Sequence, residues 1–216
     1  MHIKRSNIPK FWPIPRKGTK YLAVASHDKN ESIPLIIALR DILKVVENKK
    51  EAKKIINEKQ IKINHKEIRD TNYPICLFDI LSFAHGKSYR LMLSEIKKMF
   101  FEEVSGKDSE TKTFKIINKR ILPGKEIQLN LMHGKNTISK EKVKTGDSVV
   151  FNFHENKISK IIPMEKGKEA FVTHGKHAGQ KGKIEEIISR GGKTLAKIIT
   201  KKGKINVWIK NIIVME

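Results

Sequence analysis

FVTHGKHAGQKGKIEEI, Phe171 to Ile187, is the stretch that decides how the C-terminal part of this chain is built. Phe171 and Val172 start an apolar segment. It breaks into a loop holding Gly175, Gly179 and Gly182, with Lys176, Lys181 and Lys183 set among them. Ile184, Ile187 and Ile188 then resume the apolar pattern. Glycines let the backbone turn at φ > 0 and let another backbone come close. The lysines place point charges beside exposed N–H groups. That combination suits a phosphate or the backbone of another chain, and the charge of the whole molecule favours the phosphate.

The chain has 216 residues, with 45 Lys+Arg against 23 Asp+Glu and a formal net charge of +22. An excess of this size bears on partners, not on fold. Its natural counterparts are nucleic acid or an anionic membrane surface. No apolar run approaches the ~20 residues of a spanning helix. The longest cluster, Leu35 to Leu39, is followed at once by Arg40 and Asp41, and the basic N-terminus lacks a signal-peptide core. The length allows one large domain or about two to three small ones, and 38% hydrophobic residues suit several small cores. A single cysteine, Cys76, permits no internal disulfide and fits a reducing compartment. It lies in the apolar stretch Tyr73 to Phe83, which marks it as a buried structural thiol.

Outward from the opening stretch, four textures divide the chain. Residues 1 to 32 hold Lys4, Arg5, Lys10, Arg16, Lys17 and Lys20, with no acid before Asp28. Pro9, Pro13 and Pro15 block helix, so this reads as an extended basic arm. It has too little apolar surface to fold alone, and Phe11 and Trp12 suggest docking onto something. Residues 33 to about 60 read as helical. Leu35, Leu39, Ile42, Leu43 and Val46 form a one-face stripe, with Arg40 and Lys44 off it, and a second short helix from about Lys50 buries Ala52, Ile55 and Ile56. The period then drops to two at Ile61 and Ile63, with Asn64-His65-Lys66 as a turn and Ile68 on the return strand. From about 86 to 165, Tyr89, Leu91 and Leu93, then Ile127, Leu129 and Leu131, then Val149, Phe151 and Phe153 alternate between turn signals. This predicts a small barrel or sandwich. From 166 onward come the opening stretch, Gly191-Gly192, a hairpin turning at Lys201 to Lys204, and closing strands.

Enzyme chemistry finds little support. His174 and His177 sit in the Gly-Lys loop without a nearby cysteine, and structural zinc takes four ligands at recognisable spacing. No GxxxxGK[ST], GxGxxG or GxSxG occurs. No catalytic residue, metal, cofactor or small-molecule substrate is expected.

Two segments resemble known modules. Ile33 to Phe83 is similar to the alpha-L RNA-binding module. Ile61-Lys62-Ile63-Asn64 matches that family's V-x-V-N strand, Arg69 and Phe78-Asp79-Ile80 fit the rest, and His65 stands where glycine is usual. Phe171 to Ile184 resembles a KOW motif, with Val172, Gly175, Lys176, Gly179, Gly182 and Ile184 at matching positions. The order of the parts is more specific than either part. With His2-Ile3-Lys4-Arg5, Pro9-Lys10-Phe11-Trp12, Ile33 to Arg40, and Tyr73-Pro74 with Asp79, essentially the whole chain resembles ribosomal protein four, e-type, a small-subunit family of archaea and eukaryotes.

The resemblance implies an α+β multidomain chain. Its parts are a basic arm at 1–32, an alpha-L module at 33–85, a central small β domain at 86–165 and an SH3-like KOW barrel at 166–216. It also implies a cytoplasmic, ribosome-bound structural protein whose partners are small-subunit ribosomal RNA and neighbouring ribosomal proteins, with no membrane. RNA helices are read through shape, phosphates and 2′-hydroxyls. The residues expected to meet RNA are therefore Lys4, Arg5, Lys10, Arg16 and Lys17 in the arm, and Arg40, Lys44, Lys62, Lys66 and Arg69 on the alpha-L face. In the KOW loop they are Lys176, Lys181 and Lys183, with Gly175, Gly179 and Gly182 permitting close approach. Any one of these lysines could equally be a solvated surface charge, and the faces carry more weight than their members. Trp12 has two uses open to it, stacking on a base or filling a protein pocket. The competing reading is a free transcription or translation factor with a KOW domain. A transient factor usually keeps an acidic or neutral contact surface, whereas this chain is basic in every region.

Overall fold

A computed structural model describes residues 2–124, 126–139 and 141–215, and the chain divides into two units, Met1–Glu110 and Thr111–Glu216. Among the described residues the structure is mostly β with few helices, and no helix is long and apolar enough to cross a membrane.

In the first unit, β1 (His2–Lys4) and β2 (Tyr21–Ala23) form an antiparallel ribbon with Ile3 opposite Leu22. Between them Trp12 sinks to 1% exposure, and its Nε1–H donates to Ser32 O at 3.1 Å. Lys98 Nζ donates to the carbonyls of Lys10 and Trp12 at 2.6 and 2.9 Å. The arm is thus an ordered part of this unit. Of its apolar residues, Trp12, Ile14, Leu22 and Val24 are buried in the folded unit, which supplies apolar surface that the arm lacks alone.

Along the chain follow β3 (Ile33–Pro34), α1 (Leu35–Ile37) widening to a π-turn over Ala38–Ile42, and α2 (Lys49–Asn57). Six strands complete the unit: β4 (Ile61–Ile63), β5 (Lys66–Glu67), β6 (Pro74–Ile75), β7 (Ile80–Phe83), β8 (Ser88–Leu93) and β9 (Met99–Val104). The first helix is shorter than the apolar stripe suggests. Lys44 takes a left-handed φ of 55° and Val45 N–H closes on Leu39 O at 2.9 Å, so helix ends at Ile42. Spacing reports which face is buried; the stop is normally announced by Gly or Asn, and a lysine there sends no signal. Helix α2 starts at a clear cap. Asn48 Oδ1 accepts from Glu51 N at 3.0 Å, while Glu51 Oε2 accepts from Glu47 N at 2.8 Å. Ala52 and Ile56 are its buried face.

The main sheet runs in the order β5-β4-β7-β8-β9, all antiparallel. The expected boundary at 85/86 falls inside it, because β7 and β8 are hairpin partners with Ile80 opposite Arg90. A turn signal says that the chain reverses and not that a domain ends.

The second unit holds two five-stranded antiparallel sheets. The first comprises β10 (Thr111–Ile121), β11 (Ile127–Leu131), β12 (Asn136–Ser139), β13 (Ser148–Asn152) and β14 (Lys157–Ile162), ordered β12-β11-β10-β13-β14. Its core contains Phe114, Ile116, Leu129, Leu131, Val149 and Phe151. Phe114, Phe151 and Phe153 meet edge to face at centroid distances of 5.5 to 6.2 Å. The second sheet comprises β15 (Glu169–Val172), β16 (Lys181–Arg190), β17 (Lys193–Thr200), β18 (Gly203–Trp208) and β19 (Ile212–Met215), ordered β18-β17-β16-β15-β19. Val172, Ile184, Ala196, Ile198, Ile212 and Val214 line its inner face, and Ile162 from β14 joins that cluster. The sheets are also bonded to each other. Ser148 Oγ accepts from Val214 N at 3.0 Å, and Lys115 Nζ donates to the carbonyls of Ile209 and Ile212. The change of texture at 165/166 therefore separates two sheets of one unit.

Candidate nucleic-acid interface

The strongest local geometry is the hairpin β4–β5. Ile61 and Ile63 point inward at 1% exposure each, so Lys62 between them points out. Asn64 and His65 both adopt positive φ, 50° and 61°, as a two-residue type I′ turn requires. Asn64 suits this conformation, and its side chain also ties the turn to the unit. Asn64 Nδ2 donates to Asp79 Oδ1 at 2.6 Å, Ile80 N donates to Asn64 Oδ1 at 3.0 Å, and Asp79 Oδ2 accepts from Cys76 N at 2.6 Å. His65, in place of the usual glycine, has its Nε2 3.3 Å from Ser109 O. A rigid turn thus presents the exposed side chains of Lys62, Lys66 and Arg69. Register puts Lys62 opposite Glu67 and Lys66 opposite Ile63, so the two lysines leave opposite faces of the hairpin. Lys59 binds Glu67 at 3.0 Å, and its hydrogen bond and charge hold the Glu67 carboxyl below the usual range.

Arg40 and Lys44 do not extend this face as one helical row. Arg40 is half-buried and paired with Asp41 at 2.8 Å, and Lys44 lies at the left-handed residue beyond the helix. A further cationic row lies on α2. Lys50, Lys53 and Lys54 are exposed there, and with Asn57 and Glu58 they line a shallow hollow. The signal was present in the sequence as lysines opposite Ala52 and Ile56.

In the arm, Lys4, Lys10, Arg16 and Lys17 are exposed. Arg5 is half-buried and bonds to its own loop: Nε donates to Thr19 O at 2.7 Å, Nη1 to Pro15 O at 2.6 Å and Nη2 to Thr19 Oγ1 at 3.0 Å. A guanidinium so occupied shapes the arm's loop and, with five N–H donors, keeps others for a further acceptor. Trp12 likewise takes the protein pocket of its two open uses and offers no stacking surface.

Between β15 and β16, Gly175 and Gly179 have φ of 94° and 87°, and Gly179 N closes the loop on Val172 O at 2.8 Å. Thr173 N and Oγ1 both donate to Asn211 O, at 2.8 and 3.1 Å, which fixes the loop's base. His174 Nδ1 sits 2.8 Å from Thr173 Oγ1. Lys176 is exposed in the loop. Gly182 is not in it. Gly182 lies within β16, paired with Ala170 and Thr200, and a Cβ there would stand 2.3 Å from Ile199 O. Its missing side chain admits the neighbouring strand, so its expected role toward RNA is corrected to sheet packing. Lys181 and Lys183 flank it on the strand with exposed side chains.

Among the described residues these surfaces hold cations on rigid elements. A model described as Ribosomal family S4e matches residues 85–158. Small ribosomal subunit protein eS4 of Methanocella arvoryzae is 38% identical over 190 residues, spanning 86% of this chain and 80% of that protein. The eS4 protein of Nanoarchaeum equitans is 32% identical over 192 residues, spanning 87% and 82%. The crystal structure of 30S ribosomal protein S4e from Thermoplasma acidophilum superposes with a TM-score of 0.75 at 27% identity, covering 87% of this chain and 96% of that one. Sequence and fold agree over most of both partners' lengths, and the chain belongs to the eS4 family of small-subunit ribosomal proteins.

Proposed function

We propose that this chain is a structural, non-enzymatic constituent of the small ribosomal subunit. It grips ribosomal RNA through cationic faces on both of its units and contacts neighbouring ribosomal proteins. The observation that carries this reading is family membership over most of the chain, in a molecule of net charge +22. Within it, residues 33–85 act as an alpha-L RNA-binding module and residues 166–216 as a KOW barrel. The capped helix α2 followed by the β4–β5 turn supports the first assignment, and the Gly175–Gly179 loop between β15 and β16 supports the second. Lys62, Lys66, Arg69, Lys176, Lys181 and Lys183 meet phosphates, as do Lys4, Lys10, Arg16 and Lys17 of the arm. The chain resides on cytoplasmic ribosomes. A free regulatory factor is not favoured, since the relatives carry a ribosomal name.

Phosphate contacts release counterions, so affinity depends steeply on salt. With about ten contacts, RNA affinity of the purified chain falls about 10⁵-fold between about 50 and 200 mM salt. A flat response removes the phosphate account. In cells the chain should co-sediment stoichiometrically with small subunits through a high-salt wash. Release at modest salt, with most copies free, would favour the regulatory factor.

A further inference from the structure

We propose that the outer face of strands β16, β17 and β18 is a stacking site for one unpaired RNA base, with Trp208 as the platform. This rests on the RNA-binding reading above and adds a ligand class and a site to it. Alternation along the strands defines the face. Ala196, Ile198 and Val207 point into the core, at 0%, 0% and 6% exposure, whereas Trp208 and Ile199 point outward at 49% and 45%. Register then sets the outward residues in rows. Ile188, Leu195 and Trp208 lie side by side across the three strands, and Glu186, Lys197 and Asn206 form the next row. Cross-strand partners stand about 5 Å apart, so the indole rests beside Leu195.

A hollow of about 240 Å³ opens on this face, lined by Ile188, Leu195, Lys197 and Asn206. Its apolar side is a surface on which a flat ring loses little by leaving water. Its polar side pairs an ammonium with an amide that both donates and accepts, the groups that meet a base edge. That polar side is held in place. Glu185 draws in Lys204 at 2.6 Å and Lys197 at 3.6 Å, and these lysines keep its carboxyl below the usual range. Exposed Lys183, on the same face as Ile199, and Lys201 and Lys210 nearby in sequence supply charge for the flanking phosphates.

A base fits this face better than a protein does. The apolar row is one residue deep and bordered by the polar row Glu186, Lys197 and Asn206, whereas a stable protein interface buries roughly 800 Å² per partner around a larger apolar centre. Bases inside a duplex are already stacked, so the ligand is a base in a loop or bulge.

The chain's two tryptophans make the test direct, because Trp12 is buried and Trp208 is exposed. The probes are a stem–loop RNA with an unpaired uridine loop and a blunt duplex of the same stem. The stem–loop should quench Trp208 emission and shield it from acrylamide, while the duplex binds through the basic faces without doing so. Trp208→Ala should weaken stem–loop binding about 5- to 150-fold and leave duplex binding unchanged, with Trp208→Phe retaining most of the affinity. Unchanged stem–loop affinity in Trp208→Ala, with duplex binding intact, overturns the stacking site alone. Failure of the unaltered chain to bind either RNA overturns both this site and the reading beneath it. A Trp208 that stays accessible in RNA complexes but is shielded in intact subunits assigns the face to a protein neighbour and also overturns the proposal.

Discussion

Replacing Trp12 separates a tryptophan that holds protein together from one that holds RNA. The indole is 1% exposed and its N–H binds Ser32 O. Trp12→Ala removes a large buried ring and leaves a cavity, a change that costs about 3–5 kcal/mol. For a unit of 110 residues, unfolding entropy makes each kcal/mol worth about 4 °C, so the first unit's midpoint should fall about 12–20 °C. Trp12→Phe keeps most of the packing and loses the hydrogen bond, at about 1–2 kcal/mol, or roughly 4–8 °C. The assay is thermal unfolding followed by circular dichroism, beside RNA affinity measured at a temperature where both proteins are folded. Folded Trp12→Phe should bind RNA within about twofold of the unaltered chain, far from the 1–3 kcal/mol that a lost stacking contact costs. A clear drop in RNA affinity with an unmoved midpoint would refute the buried role.

Three further outcomes are expected. Gly182→Ala forces a Cβ to within 2.3 Å of Ile199 O, so the second unit should lose about 1–3 kcal/mol or more in urea unfolding. A neutral result would mean that β16 and β17 are not paired this closely. Asn64→Ala removes two hydrogen bonds that hold the turn, one of them to buried Asp79, and strains a φ of 50°. It should cost about 2–4 kcal/mol in chemical unfolding, and a change below about 0.5 kcal/mol would count against a rigid turn. Burial of Lys115 lowers its pKa from 10.5 to about 8. Between these values the unfolded chain holds more protons, so this residue's contribution to stability rises with pH from about 8 to 10.5 and is constant below that window. The stability difference between the unaltered chain and Lys115→Met should therefore shift toward the unaltered chain on going from pH 7 to pH 10. A pH-independent difference removes this account.

Much of the molecule is legible from residues close together in the chain. The charge pointed to a polyanionic partner, and prolines kept the arm out of α-helix, though Arg5–Asn7 form a 3-10 turn. Ile61, Lys62 and Ile63 announced a strand, Asn64-His65-Lys66 its turn (with Lys66 already on the return strand in the fold), and the Gly175–Gly179 spacing a loop between strands. Each of these is a contest among near neighbours, settled by local sterics and by which side of a strand is apolar. What the tertiary structure decided depends on distant partners. Lys98 reaches back 88 positions to Lys10, Trp12 bonds to Ser32 across 20, and Lys115 reaches Ile212 across 97. Arg5 reads in sequence as a wholly free cation because nothing local shows that carbonyls of Pro15 and Thr19 take up two of its donors. Gly182 reads as part of a loop because nothing local brings Ile199 against it. Trp208 reads as ordinary strand alternation until register sets it beside Leu195 and Ile188. Whether a cation or a ring stays available to a partner is settled by what else the folded chain brings within bonding distance, and a one-dimensional pattern does not hold that distance.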